Sequence, residues 1–247
     1  MTDSAISVLR QKYNKESKEI DEKLLKVPLK SVNEPFVYLP DLARKLKIKV
    51  VFDQKEKPSA YLRESVAEAW VAAAKNFNKK GLILRVESAY RSLESQKKRF
   101  LWRVSSMKKR YPKKSQKELQ DLANVYTAGI PILSGHTAGA AVDVTLLDAK
   151  NKPVNFGVPY RHGDIQSSTD YPYLPKELVK NRKLLKKVME KHGFVNYPFE
   201  YWHFSMGDVY AVYFIGDKYA KFSPVEYDFK KKKMFPLKSQ ELRKFFK

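Results

Sequence analysis

Apolar residues recur along this chain at two periods, three to four and two, so the pattern predicts a mixed order of helices and strands. Ile6 to Leu25 sets apolar positions among charges as an amphipathic helix does, and an irregular, proline-containing segment follows to about Lys47. Lys47 to Phe52 reads as a strand. In Glu64 to Asn78 the residues Val66, Ala67, Trp70, Ala73, Ala74 and Phe77 share one helical face, and Gly81 closes the helix. Leu82 to Ala89 is a predicted strand. Ser92 to Arg110 is a long basic helix with Ser92 as N-cap and Ser95 in its first turn, and Pro112 ends it. Ser115 to Tyr126 opens Ser-x-x-Glu, as a capping box does.

Ala140 to Leu147 alternates Val142, Val144 and Leu146 with small or polar residues, the period of a half-buried strand. A proline-rich loop spans Asp148 to Pro175, and Glu177 to His192 is a helix stopped by Gly193. Tyr201 to Met206 is predicted as the last core strand, with Val209 to Ile215 and Ala220 to Phe222 as edge strands. No internal repeat or low-complexity linker interrupts this order. The chain divides into an N-terminal helical extension (1–36), one domain (37–227) and a Lys-rich C-terminal extension (228–247) that carries Phe235, Phe245 and Phe246.

Composition narrows the chemistry. The 247 residues are 43% hydrophobic, enough for a folded core, and contain no cysteine, which excludes disulfides, thiolate metal sites and cysteine nucleophiles. Any metal must therefore be held by His and carboxylates. A net charge of +22 attracts anions, but its densest runs, Lys108-Lys109-Arg110 and Lys230 to Lys233, read as solvated faces or tails. No helix-turn-helix, RNP or finger motif accompanies that charge, so no specific nucleic-acid partner is expected. No stretch is apolar enough to span a bilayer, and the N-terminus lacks the apolar run of a secretory signal. The expected location is the cytoplasm, or the periplasm or cell wall if another route exports it. Oligomeric state is not legible.

Two stretches carry chemistry. In Ser134-Gly-His136-Thr-Ala-Gly139-Ala-Ala-Val-Asp143, a loop histidine precedes a strand aspartate, and the glycine-rich turn can bring imidazole and carboxylate to one ion. Glu200-Tyr-Trp-His203 supplies a second imidazole. His136, Asp143 and His203 together leave a fourth tetrahedral position for water, as a catalytic zinc requires. Glu200 lies three residues before His203, on the wrong face of a regular strand, and Pro198 opposes a helix. It is expected in a bend, as the base acting on water, with a surface ion pair as its plainer reading. Arg91, after the Leu82 to Ala89 strand, is the candidate for the developing oxyanion, or a capping or salt-bridge residue. His162 and His192 read as structural, Trp202 as packing, and Tyr90 as core or pocket wall with equal weight.

At these residues the chain resembles the zinc D-alanyl-D-alanine peptidases, whose signature is Ser-x-His-x-x-Gly-x-Ala-x-Asp followed by Glu-x-Trp-His. It is most similar to the VanX-type D-alanyl-D-alanine dipeptidases, through Tyr90-Arg91, the Asn181-Arg-Lys-Leu-Leu run, Gly193 to Pro198 and His203 to Asp208. The resemblance implies an α+β fold of the Hedgehog/D,D-peptidase kind, with a small antiparallel central sheet flanked by helices. It also implies one Zn2+ per chain, cleavage of D-Ala-D-Ala in peptidoglycan metabolism, and Ser134 lining the substrate pocket, where Tyr90, on its pocket-wall reading, is the further candidate substrate contact. One segment departs: the family's Gly-Thr-Pro-Phe-Asp appears as Gly157-Val158-Pro159-Tyr160-Arg161, a cation where an acid should meet the dipeptide's ammonium. Asp164 or Asp170 is a candidate substitute; otherwise a D,D- or L,D-carboxypeptidase acting on longer stem peptides is favoured. Outside enzymes the rivals are a non-catalytic wall-peptide-binding module and a nucleic-acid-binding protein that uses the positive surface.

Overall fold

The computed structural model of the protein describes residues 3–246; residues 1, 2 and 247, at the outer ends of the two terminal segments, lie outside the described residues. The first half runs α1 (Asp3–Leu24), β1 (Phe36–Tyr38), α2 (Leu39–Lys45), β2 (Val50–Phe52), β3 (Tyr61–Arg63), α3 (Glu64–Lys79), β4 (Ile83–Ser88), α4 (Leu93–Arg110) and α5 (Gln116–Asn124). The second half runs α6 (Gly135–Ala138), β5 (Ala141–Leu147), α7 (Lys176–Lys191), β6 (Val195–Asn196), β7 (His203–Ser205), α8 (Val209–Ile215), β8 (Val225–Asp228), β9 (Lys233–Pro236) and α9 (Ser239–Leu242).

A five-stranded sheet of order β2-β4-β5-β7-β6 is the centre of the fold. The apolar face predicted for Glu64 to Asn78 is fully buried in α3, which packs with α7 against Leu84, Val86, Val142, Val144 and Phe204 of the sheet. Because successive strand residues point to opposite faces, sinking Val142, Val144 and Phe204 into this core turns Asp143 and His203 to the other side. That alternation positions the site. The predicted caps form: Ser92 Oγ accepts the Ser95 N–H at 3.2 Å, and Ser115 and Glu118 make the reciprocal capping box.

Three features differ from the sequence-based expectation. The sheet is antiparallel except at its edge, where β2 runs parallel to β4, because the chain crosses back through α3 between them. Val209 to Ile215, rich in β-branched and aromatic residues, is the helix α8 and not an edge strand. Asp208 caps it by accepting the Ala211 N–H at 2.9 Å, and Gly216 (φ 79°) ends it, so capping overrides strand propensity. Ala220 to Phe222 forms no strand, only a bridge from Ala220 to Leu29.

The segments around this sheet are also packed. β1, inside the stretch read as irregular, pairs with β3 beyond it, and β8 pairs with β9 near the C-terminus. Leu24 and Val27, at and just beyond the end of α1, share an apolar cluster with Ile132, Val209, Val212 and Leu242. Arg10 of α1 is ion-paired to Asp164 at 2.6 Å. No helix among the described residues is long and apolar enough to cross a membrane.

Candidate metal centre

His136 sits within the single helical turn α6 rather than on the loop expected for it. Gly139 (φ 66°) then reverses the chain into β5, and an added Cβ there would collide with the Phe36 ring, so both conformation and space call for glycine. In the antiparallel pairing of β5 with β7, Asp143 lies directly opposite His203. Tertiary pairing thus joins residues 60 positions apart, and α6 lowers His136 onto the same spot.

The donor atoms of His136, Asp143 and His203 all lie within 4.8 Å of one another. His136 Nδ1 is 2.7 Å from the Ala89 carbonyl, which can only accept, so Nδ1 carries the proton and Nε2 presents its lone pair. That Nε2 is 3.3 Å from Asp143 Oδ1, and His203 Nδ1 is 2.9 Å from the same oxygen. The Tyr160 hydroxyl donates to Asp143 Oδ2 at 2.8 Å and so orients the carboxylate. Burial pushes His136 down to about 4, leaving a neutral imidazole at pH 7, the form that binds a metal. Burial opposes charge on Asp143 as well, but the two imidazoles hold its carboxyl well below the usual range. His203 Nε2 lies 3.3 Å from Ser205 Oγ, so each imidazole and the carboxylate has a partner outside the trio, and two imidazoles and one carboxylate converging in this way fit a catalytic zinc.

These residues line a cavity of about 330 Å³ that Ser134, Glu200 and Arg91 also line. Glu200 occupies the expected bend: its N–H donates to Tyr197, its carbonyl accepts from the His203 N–H, and the Asn196 amide bridges both ends. It makes no ion pair among the described residues, and burial, with the charge of Asp143 added, pushes its carboxyl up to about 8. Arg91 is 9% exposed and donates to Gln96 Oε1 at 2.6 Å and Ser88 Oγ at 3.1 Å, while its Nε has no partner. No carboxylate lies in salt-bridge range of it among the described residues.

Tyr90 is not brought to the cavity. Its hydroxyl donates to the Val225 carbonyl and accepts the Tyr227 N–H, which ties it to β8 in an aromatic cluster with Phe36. Asp164 is held by Arg10 and Arg110, and Asp170 is exposed beside α1, so neither lines the cavity. His162 also lies outside it, whereas Trp202 both packs in the core and borders it. Several lining residues escaped the sequence reading. Gln96, Phe100, Val104 and Met107 form the buried stripe of α4, and that periodicity could have singled out the polar Gln96. Tyr160 gave no local signal of its contact with Asp143, whereas Asp208 carried the local signal of a helix N-cap.

The profile of the family described as D-ala-D-ala dipeptidase (Peptidase_M15) matches residues 46–224. The chain belongs to this family. It is 34% identical over 84 residues to a D-alanyl-D-alanine dipeptidase of Synechocystis sp., covering 30% of this chain and 34% of that one. It is 28% identical over 97 residues to that of Escherichia coli, covering 39% and 50%. The chain thus matches a third to a half of the length of these relatives. Among solved structures it is similar to a mutant of the vancomycin-resistance D,D-pentapeptidase VanY in complex with Zn(II), at 16% identity and TM-score 0.43, covering 64% of this chain and 80% of that one.

Proposed function

We propose that the chain is a zinc-dependent peptidase that releases D-alanine from D-alanyl-D-alanine or from peptidoglycan stem peptides ending in that pair. The observation that carries this reading is convergence: three ligand atoms within 4.8 Å of one another share a cavity with Glu200 and Arg91. His136, Asp143 and His203 hold the ion, one per chain. Zinc bound there supplies a Lewis acid that polarises the scissile carbonyl and lowers the pKa of a water to about 7.

The chain's own residues do the rest. Glu200, which the positive charge of an ion held beside it would keep ionised despite its burial, takes the proton of the attacking water and delivers it to the leaving amine nitrogen. Arg91, anchored by Gln96 and Ser88, directs its guanidinium at the oxyanion, where such a group is worth on the order of 100-fold in rate. Tyr160 and the Ala89 carbonyl keep Asp143 and His136 in their binding orientation. Ser134 contacts the peptide at the cavity wall.

The test is incubation of the zinc-loaded protein with D-Ala-D-Ala and with a stem pentapeptide, with and without a chelator, followed by mass spectrometry of products. Released D-alanine that disappears with chelation is expected. Intact substrates in the zinc-loaded sample would leave only the wall-peptide-binding reading.

A further inference from the structure

The wall of the cavity nearest solvent is built from arginines. Arg99, Arg103 and Arg161 line it beside Trp102, which is 65% exposed, whereas His136 and Asp143 at the metal centre are 5% and 4% exposed. The first two come from one side of α4, where positions 96, 99 and 103 follow the i, i+3, i+7 ridge that also presents Gln96. Arg161 comes from the loop after β5, and Arg103 touches that loop: a Cβ built at Gly163 would lie 2.6 Å from its Nη1.

Compensating acid is scarce there. Glu56 is shared, its Oε1 accepting Arg99 at 2.5 Å and Arg161 at 2.9 Å. Glu200, across the cavity, also attracts Arg103, though outside salt-bridge range, so Arg99, Arg103 and Arg161, with Arg91 behind them, still outnumber the two carboxylates that face them. Arg103 makes no hydrogen bond or ion pair among the described residues, and its Nε is buried without a partner. A buried, unpaired guanidinium nitrogen carries a desolvation cost that an incoming anion removes. Asp21 of α1 also lines the cavity, but its carboxyl is hydrogen-bonded to Asn124 and burial pushes it up to about 7.

We propose that Arg103, with Arg99 and Arg161, forms a subsite for a carboxylate on the acyl side of the scissile bond, which makes acidic stem peptides the substrate class. This rests on the peptidase reading above. The acyl side follows from chemistry: the leaving D-alanine ends the peptide, so a group reaching the open wall from a buried reaction centre belongs to the residues before it. A free dipeptide has no such residues and brings an ammonium group towards guanidinium groups.

Two pentapeptides differing in one group test it: L-Ala-γ-D-Glu-L-Lys-D-Ala-D-Ala with the glutamyl α-carboxyl free, and the same peptide with that carboxyl amidated. The free acid is expected to show kcat/KM at least tenfold higher, mainly through KM, with the preference shrinking as salt rises. Arg103→Gln should bring the ratio close to one, and Arg103→Lys should restore part of it. Isothermal titration of both peptides onto the Glu200→Gln protein reads the same preference without turnover. Equal kcat/KM for both peptides in the native protein overturns the subsite and leaves the peptidase reading standing. No turnover of either peptide, with the acid still bound tenfold tighter, refutes the peptidase and keeps the subsite. Equal or undetectable binding of both in the titration overturns the subsite whatever the turnover.

Discussion

Tyr160→Phe isolates one hydrogen bond at the candidate metal centre. The hydroxyl donates to Asp143 Oδ2 at 2.8 Å, while the ring packs edge-on to Trp202 at 5.5 Å and lies under the Arg161 guanidinium at 4.8 Å. Burial and the negative charge of Asp143 hold the phenol well above its usual range, so it is a proton donor at every working pH. The substitution keeps the ring and its contacts and removes only the donor. A hydrogen bond to an ionised carboxylate is worth about 1.5–3 kcal/mol, and losing a partner that orients a metal ligand typically weakens metal binding about 10- to 100-fold. Zinc affinity, measured by competition with a chromophoric chelator at pH 7.5, is therefore expected to fall by about that factor, with circular dichroism unchanged. A zinc Kd within threefold of the native value would refute the claim that Tyr160 orients Asp143 as a ligand.

Glu200→Gln should lower kcat by about 100- to 10,000-fold while zinc, measured by atomic emission, stays near one per chain; loss of zinc would make Glu200 a ligand. Asp21, raised to about 7 by burial, makes the folded state hold a proton that the unfolded chain gives up near pH 4. Its contribution to stability is therefore fully present below about pH 4, declines as pH rises, and is gone above about pH 7, at most about 4 kcal/mol. Asp21→Asn keeps the hydrogen bond from Asn124 and should stabilise the protein in urea titrations at pH 8 more than at pH 4.5; equal differences at both would refute it. Phe77→Ala removes a fully buried ring between α3 and the sheet and should cost about 3–5 kcal/mol in the same titration, without altering zinc stoichiometry.

How much was legible in advance differs from element to element. α3, α4, α5 and α7 were readable because periodicity, caps and glycine stops are local, each expressed within about one helical turn of the residue that causes it. Where two local signals disagreed, reading by propensity failed: the apolar run of α8 looked like a strand, and Asp208 with Gly216 made it a helix. Short strands such as β1 and β3 escaped because three residues hold too little pattern, and each exists through its partner.

The same division runs through the site. The chain order alone marked His136, Asp143, Glu200 and His203 as candidates, because residue types that could hold and use a metal stand in two compact motifs. Only the folded structure decided that β5 and β7 pair so that Asp143 faces His203, that Tyr160 reaches back to Asp143, and that Tyr90 turns away to β8. It alone set Arg99 and Arg103 of α4 beside Arg161, 58 residues beyond Arg103. Strand register and helix packing are settled by burial summed over the whole sheet, a non-local quantity that no short motif contains.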